Sequence, residues 1–288
     1  MMIAGENDIQ DASPTSVGLC DGNLLRILFW NAHRHDLSSQ VTALADDLSV
    51  DTVVLAEYDG CPYAVLSSLQ KQVDSRFNAP FSTSDRFLVF TRWVAPEFNE
   101  VLNSERFSVR KYSHRNSSAL LAIFHGLDPY NNDIHQRSSF ALEKMRDLRK
   151  AMDEHNTKKA LVVGDFNLNP FDPVMNQASG FNAMMTKNCV SRGSRRVVGQ
   201  EYDFFYNPMW SFLGDLSPGS PGSIYYRGRQ GQFGWNMFDQ VLVHHSLISN
   251  FVEVQIINSH ASIPLSSPRG HPNPVVSDHF PLLVTLRK

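Results

Sequence analysis

The sequence contains few cysteines, little net charge and no long uninterrupted apolar run. Its 3 cysteines, Cys20, Cys61 and Cys189, lie far apart and form no CxxC pair, which argues against a disulfide framework and against a zinc cluster. No stretch approaches the roughly 20 consecutive apolar residues that a membrane-spanning helix needs. The polar start of the chain lacks the basic and apolar parts of a secretory signal. We therefore expect a cytoplasmic protein with no membrane partner and a flexible tail over residues 1–22.

The near balance of charge limits how this chain could bind nucleic acid. Lys and Arg number 26 against 29 Asp and Glu, a formal net charge of −3. Proteins that coat nucleic acid without sequence preference are often basic overall. The composition therefore disfavours nonspecific coating, whereas a local basic cleft is compatible with it.

Apolar runs separated by turn residues predict strands along most of the chain. The predicted strands occupy residues 25–30, 52–56, 87–90, 119–124, 160–163, 240–243 and 282–286. Helical periodicity covers residues 37–48 and 136–155, and in the second segment apolar residues recur at helix spacing from Ala141 to Met152. This mixture predicts an α/β (α+β) fold, a four-layer αββα sandwich of two packed mixed sheets flanked by helices, formed by one domain over residues 23–288.

Residues 191–235 differ from the rest, because they are rich in Gly, Pro, Ser, Arg and aromatic residues and show weak periodicity. We predict long loops there, which are often functional inside a compact domain. The candidate substrate-binding residues are Arg192, Arg195, Arg196, Arg227, Arg229 and Trp235. Such arginines could hold phosphates and such a ring could stack on bases, or the segment could be a solvated loop above an aromatic cluster.

Two other groups are interpreted as lying outside any site. A second basic stretch is interpreted as a solvated edge and consists of Arg106, Arg110, Lys111, His114 and Arg115. His244 and His245 follow a predicted strand, on which adjacent side chains face opposite ways and cannot bind one ion together.

Polar residues stand at the ends of several predicted strands. Asn31, Glu57, His125 and the pair Asp165 and Asn167 come where apolar runs stop, Asp239 opens a strand, and Asp278 with His279 precedes the last one. A single polar residue at a strand end is ordinarily a turn former or a helix cap. Asp165 and Asn167 are two residues apart, so on an extended chain they would share one face. If the strand ends converge, one end of the molecule carries carboxylates, amides and imidazoles together.

Such a cluster suits phosphoryl chemistry. Carboxylate and amide oxygens without thiolates suit a hard cation such as Mg²⁺, which leaves several coordination positions to water and phosphate. A metal ion there can polarise a phosphoryl oxygen and acidify a bound water. Neighbouring imidazoles can stabilise developing negative charge or move a proton.

The motifs ILFWN, VVLAE, LLAIFH, LVVGDFNLNP, FDQVLV and SDHFPLLVTL follow one another in this order. In this respect the chain resembles the endonuclease/exonuclease/phosphatase superfamily, over roughly residues 23–288. GDFN followed by SDH is the most specific part of the resemblance. It implies a Mg²⁺ or Mn²⁺ ion held near Asn31, Glu57 and Asp278, with Glu57 as the principal ligand.

The resemblance also implies catalytic roles. Asp165 would position or deprotonate the attacking water, and Asn167 would orient that water or bind phosphate. His279 would contact the scissile phosphate while Asp239 holds its imidazole in orientation. His125 would be a second histidine on the phosphate side.

The chain departs from the family pattern at three places. Ala56 stands where many members have Gln before Glu, and Gly126 separates His125 from Leu127 where a direct His-Leu is commoner. Residues 33–35 read HRH rather than the Asn-Gly of abasic-site endonucleases, so that branch is disfavoured. The predicted function is a metal-dependent phosphodiesterase with nucleic acid, DNA or RNA, as substrate. The alternatives are a phosphatase or sphingomyelin-type hydrolase with the same site, and a non-catalytic binding module.

Overall fold

The computed structural model describes residues 23–114, 117–229 and 232–288, and the tail predicted over residues 1–22 lies outside them. In chain order the strands are β1 (Leu24–Asn31), β2 (Thr52–Ala56), β3 (Phe87–Thr91), β4 (Phe98–Ser104), β5 (Phe107–His114), β6 (Ser117–His125), β7 (Ala160–Asp165), β8 (Ala183–Met184), β9 (Ser194–Val197), β10 (Gln200–Asp203), β11 (Phe205–Tyr206), β12 (Ile224–Arg229), β13 (Gln232–Asn236), β14 (Asp239–His244), β15 (Phe251–Ile256) and β16 (Leu282–Arg287). The helices are α1 (Ser38–Asp47), α2 (Pro62–Ser68), α3 (Ile134–Glu154), α4 (Pro173–Asn176) and α5 (Lys187–Val190), with a π-helical turn at Leu69–Val73 and 3₁₀ turns at Pro208–Phe212 and His245–Leu247.

The first large sheet has the strand order β15–β16–β1–β2–β3. β1 and β2 are parallel, and the other neighbours are antiparallel. Every residue of β2 is buried, because both faces of the strand are covered, and this accounts for its continuous apolar run. Val41 and Leu44 of α1 are buried in the same core cluster as this sheet.

The second large sheet has the order β4–β5–β6–β7–β14–β11–β8. β6 and β7 are parallel, as are β8 and β11. Helix α3 buries Ala141, Met145 and Leu148 against the outer face of this sheet, in one cluster with Phe124. The helix begins with a reciprocal capping box, in which Asp133 accepts from the Gln136 amide and Gln136 accepts from the Asp133 amide.

The two sheets pack face to face. Ile123 and Val163 of the second sheet join the core cluster that contains Val54, whereas Ala122 and Val162, one residue away, join the cluster under α3. This two-residue alternation is that of strands buried on both faces. The predicted fold of two mixed sheets flanked by helices is confirmed. Among the helices of the described ranges, none combines the length and apolar character needed to cross a bilayer.

Two predictions about local structure are wrong. Residues 191–235 are not simply loops, because they contain the hairpins β9–β10 and β12–β13 and the strand β11. Val198 and Gly199 join the first hairpin with positive φ at both residues, as the tightest hairpin turns require. The two adjacent histidines do not face opposite ways, because β14 ends at His244 and the chain turns at His245, so their ring centroids lie 4.3 Å apart.

Candidate active site

The topology of the first sheet brings three of its predicted site segments to one edge. Asn31 lies beside Ala56 in the parallel β1–β2 pair, so Glu57 follows at the same edge. β16 runs antiparallel to β1, with Leu282 opposite Phe29. The residues that precede β16, including His279, therefore lie next to Asn31.

The second sheet contributes its residues at the corresponding edge. His125 pairs with Asp165 in the parallel β6–β7 pair, and Asp239 pairs with Asp165 across the antiparallel β7–β14 pair. The two edges touch, because Asn31 Nδ2 donates to Asp165 Oδ2 at 3.0 Å. Trp30 Nε1 donates to the His279 carbonyl at 2.9 Å. The eight strand-end residues are thus brought to one place, at the junction of the two sheets.

His279 and Asp239 form a buried imidazole–carboxylate pair. His279 Nδ1 lies 2.7 Å from Asp239 Oδ2, and Ser223 Oγ accepts a hydrogen bond from the Asp239 amide at 2.9 Å. Burial lowers the pKa of His279, but the charges of Asp239 and Asp278 outweigh burial and raise that pKa well above its ordinary value. The pair therefore holds a protonated imidazole whose Nε2 is the nitrogen available to the cleft.

Asp165 is the most enclosed carboxylate of the cluster. Its Oδ1 accepts from the Asn167 amide at 2.9 Å, and its Oδ2 accepts from the side-chain amide of Asn31. Burial raises the pKa of Asp165, while the charge of His279 opposes the shift and that of Asp239 adds to it. Asn167 is held in turn, since its carbonyl accepts from Arg137 of α3 at 2.6 Å. Asp165 is therefore oriented by donors on two sides and is more basic than a surface aspartate.

Glu57 and His125 face each other across the cleft. His125 Nε2 lies 3.2 Å from Glu57 Oε1 and 3.8 Å from Asp165 Oδ2. The hydrogen bond from His125 lowers the pKa of Glu57 to about 2, with burial opposing and the charge of His125 adding to the effect. Glu57 is therefore ionised throughout the neutral pH range and is available to a cation.

The backbone at these positions is unusual in two ways. Glu57 and Asn167 have positive φ values of 49° and 51°, a region that non-glycine residues rarely adopt and that recurs at functional sites. Gly126 is required by close packing, because a Cβ there would lie 2.0 Å from the Phe166 carbonyl oxygen. The departure from a direct His-Leu sequence is thus explained by the approach of β6 to the segment after β7.

The cluster lines a cleft of about 710 Å³. Its walls add three cations, Arg34, Arg86 and Arg106, and the rings of Tyr58 and Tyr130. Asp59, Asp85 and Asp128 line the same cleft, so the arginines and aromatic rings lie among further carboxylates.

The donor set fits a hard divalent cation. Glu57 is ionised at neutral pH and lines the cleft. Asp278 Oδ1 is buried and has no hydrogen-bond partner among the described residues, although His33 Nδ1 lies 3.2 Å from it. Asn31 Oδ1 accepts one bond, from the His33 amide, which leaves a second lone pair. Three oxygen donors without a thiolate match Mg²⁺ or Mn²⁺.

Asp165, Asp239 and His279 also offer ligand atoms within 4.8 Å of one another. We interpret these three as acid–base and charge-stabilising groups, because the facing atoms of His279 and Asp239 already bond to each other.

The three candidate substrate-binding arginines that follow α5 lie away from the cleft. Arg192, Arg195 and Arg196 do not line the cleft, because β9–β10 packs near the His244 end of β14 whereas Asp239 opens that strand at the cleft. Arg195 donates to the Asn176 carbonyl, and Arg196 donates to that of Gly199 at 3.1 Å.

The hairpin β12–β13 lies closer to the site. Ile224 and Tyr226 line the cleft, and Arg227 is exposed on the following position. Trp235 is outside the cleft lining, packed edge-on against Tyr225 with ring centroids 5.3 Å apart. The side chain of Arg229 lies outside the described residues.

The interpretation of the second basic stretch as a solvated edge is wrong for Arg106 and Arg110. Arg106 lines the cleft and donates to the Gly126 carbonyl at 3.2 Å. Arg110 is fully buried, 3.2 Å from Glu100. Arg115 and the side chain of His114 lie outside the described residues. The spacing of residues in the sequence did not single out Arg34, Arg86 or Arg137, because only the folded chain brings them to the site.

No family model matches this sequence, and no curated protein matches it. Solved structures share its fold. Truncated TDP2 of Caenorhabditis elegans has a TM-score of 0.56 at 15% identity, covering 93% of this chain and 99% of that one. The 3′ phosphatase NExo from Neisseria, bound to a product DNA hairpin, has a TM-score of 0.51 at 17% identity, covering 90% and 98%. An endonuclease/exonuclease/phosphatase family protein from Leptotrichia buccalis has a TM-score of 0.53 at 14% identity, covering 92% and 100%.

Proposed function

Because this chain has the fold of the endonuclease/exonuclease/phosphatase superfamily, we propose that its cleft hydrolyses phosphodiesters with a divalent metal ion. One observation carries the proposal: the His279–Asp239 pair, the oriented carboxylate of Asp165 and the ionised Glu57 meet at one cleft. A base, a fixed positive charge and a metal ligand are the groups that hydrolytic phosphoryl transfer requires.

Asp165 is the group that positions the attacking water. Its two oxygens are held by Asn31 and Asn167, so the carboxylate cannot rotate away from the cleft. Because burial raises its pKa, it can accept the proton of the water as the oxygen attacks phosphorus. The bond from phosphorus to the leaving oxygen then breaks, and that oxygen takes a proton from solvent.

His279 stabilises the charge that develops on the phosphoryl oxygens. Its imidazole stays protonated because Asp239 lies 2.7 Å from Nδ1, and Nε2–H donates to a non-bridging oxygen. His125 Nε2 lies 3.2 Å from Glu57 Oε1, and if a metal ion engaged Glu57, this nitrogen would be free to donate to a second oxygen. A divalent ion held by Glu57, Asp278 and Asn31 would polarise the phosphoryl group.

We propose nucleic acid as the substrate. Arg34, Arg86 and Arg106 line the cleft beside the exposed ring of Tyr130. Arginines neutralise successive phosphates of a backbone, and an aromatic face stacks on any base. NExo, which shares the fold, was solved with a DNA product, and this supports the same class of substrate here.

The test is metal-dependent release of fragments from labelled DNA and RNA. Chelator-treated protein should be inactive on single-stranded, double-stranded and nicked substrates, and Mg²⁺ or Mn²⁺ should restore cleavage of at least one. Asp165→Asn, purified in parallel, controls for a contaminating nuclease. Inactivity on every nucleic acid with both metals would contradict the proposal. Binding without turnover would favour the non-catalytic module instead.

Removal of a terminal phosphate from nucleic acid is the second candidate, because NExo is a 3′ phosphatase. An oligonucleotide with a 3′ phosphate separates the two activities. Release of inorganic phosphate without shortening of the chain indicates the phosphatase, and a shorter chain indicates the nuclease.

A further inference from the structure

We propose that Asp203, His244 and His245 form a second metal site, which binds a transition-metal ion such as Zn²⁺ at the far end of β14 from the cleft. β14 is 6 residues long, with Asp239 at one end and His244 at the other. At roughly 3.3 Å per residue this separates the two ends by about 17 Å. An ion at the far end is therefore independent of the phosphate-binding cleft.

The three side chains already converge. His244 Nε2 lies 3.2 Å from Asp203 Oδ2, and His245 Nε2 lies 4.0 Å from Asp203 Oδ1. One ligand atom from each residue can be chosen so that all lie within 4.8 Å of one another. Metal–nitrogen and metal–oxygen bonds of about 2.0–2.2 Å in a tetrahedral site place ligand atoms roughly 3.3–3.6 Å apart. The contacts of Asp203 with the two histidines, 3.2 and 4.0 Å, bracket that value, and rotation of the side chains would bring the ligand atoms onto one ion.

The hydrogen bonds around His244 hold its ring in place. His244 Nδ1 lies 2.9 Å from Ser246 Oγ and accepts from the Ser246 amide at 3.4 Å. Nε2 therefore faces the Asp203 carboxylate, 3.2 Å away. A supporting bond at the other ring nitrogen is typical of histidine ligands.

The ligand types select a different ion from that of the cleft. Two imidazoles and one carboxylate suit Zn²⁺, Ni²⁺ or Cu²⁺, whereas the oxygen donors of the cleft suit Mg²⁺ or Mn²⁺. The side chains of Asp203 and His245 are 38% and 28% exposed, so water can fill a fourth position. Asp203 ends β10, and the bound ion would tie the β9–β10 hairpin to β14. Its role would be to stabilise the fold.

The test is a titration of chelator-treated protein with Zn²⁺, followed by calorimetry and thermal melting. Glu57→Gln serves as the background, so that weakened binding in the cleft does not obscure the second site. We expect one equivalent of Zn²⁺ to bind, to raise the melting temperature, and to resist competition by millimolar Mg²⁺. Introducing His245→Asn into the Glu57→Gln background should weaken Zn²⁺ binding at least tenfold. Loss of a residue that only supports a metal ligand already weakens binding by about tenfold, and His245 would be a ligand itself.

His260→Asn is the matched control. His260 Nε2 pairs with Asp47 Oδ2 at 2.7 Å elsewhere on the molecule, so this substitution also breaks a histidine–aspartate pair but should leave Zn²⁺ affinity unchanged. If His245→Asn does not fold, Asp203→Asn at the more exposed position tests the same site. Equal Zn²⁺ affinity in the site and control variants, or no bound Zn²⁺ in the background protein, would overturn the proposal.

Discussion

The charge state of His279 depends on one neighbouring oxygen. Asp239 Oδ2 lies 2.7 Å from His279 Nδ1 and is wholly buried. Asp239→Asn preserves the shape of the side chain but removes the charge that keeps the imidazole protonated and oriented. We expect turnover to fall by a factor on the order of 10² to 10⁴, as it does when comparable acid–base or orienting groups are removed. Single-turnover cleavage at saturating metal measures this loss.

Because the two residues act as a unit, their effects should not add. The double variant Asp239→Asn with His279→Asn should be no slower than the slower single variant, within about threefold. Asp47→Asn, which breaks the His260 pair outside the cleft, is the control and should keep full activity. Additive losses would show that the two side chains act separately.

Glu57 and Asp165 are both carboxylates of one cleft, but their substitution should affect activity in different ways. Glu57→Gln removes an ionised ligand, so the Mg²⁺ concentration giving half-maximal activity should rise at least tenfold. Asp165→Asn removes the base, so turnover should fall by on the order of 10² while the Mg²⁺ midpoint stays within about threefold of wild type. Metal titrations of activity distinguish the two outcomes. Asp59→Asn, at an exposed position of the cleft, is the control and should change neither the Mg²⁺ midpoint nor the turnover. Identical Mg²⁺ titration curves for Glu57→Gln and wild type would show that Glu57 is not a metal ligand.

At the scale of single elements, α3 is the clearest case of local sequence deciding structure. Asp133 caps the helix and accepts from the Gln136 amide at 2.8 Å. Asp133→Ala should lower the free energy of unfolding by about 1 kcal/mol, since the first-turn amides lose their acceptor. Urea denaturation measures the change. Asp153→Ala, near the other end of the helix and mostly exposed, should cost less than about 0.5 kcal/mol; an equal loss in both variants would mean that capping is not the cause.

The strand ends could be predicted because buried strands are apolar whereas the residues that carry chemistry are polar. Strands such as β2 and β7 are buried on both faces and read as continuous apolar runs. A polar residue directly after such a run, such as Glu57, is then conspicuous. The pairing of the strands could not be read from the runs themselves, and it was the resemblance to a known fold that suggested their convergence.

The errors have a common physical cause. β9 and β10 carry polar, largely exposed residues, so no apolar alternation marks them as strands. Arg195 and Arg196 of β9 precede β11 by a few residues, yet the chain places them near the His244 end of β14, away from the cleft. His244 and His245 were expected on opposite faces because the end of β14 between them leaves no signal in the sequence. Each error concerns where a chain turns, which local composition specifies weakly.

At the scale of the whole molecule, the site belongs to neither sheet alone. Asn31, Glu57 and His279 come from the first sheet, and His125 and Asp165 come from the second. Three polar contacts inside the site join the two sheets, namely Asn31 to Asp165, Glu57 to His125 and His279 to Asp239. Elsewhere, the two sheets are held in their relative position by apolar packing between them. The geometry of catalysis should therefore be sensitive to changes in the core beneath the cleft.

Trp30 allows this dependence to be measured. It is wholly buried between the sheets, and its Nε1 donates to the His279 carbonyl at 2.9 Å. Trp30→Phe leaves that carbonyl without its donor and removes packed atoms, so we expect a loss of about 2–3 kcal/mol in unfolding free energy. Turnover should fall as well, since His279 loses a contact that fixes its backbone. Trp210→Phe is the matched control, because Trp210 Nε1 has no hydrogen-bond partner among the described residues. It should cost less stability and leave turnover unchanged, and equal effects of the two substitutions on turnover would show that the core does not hold His279 in place.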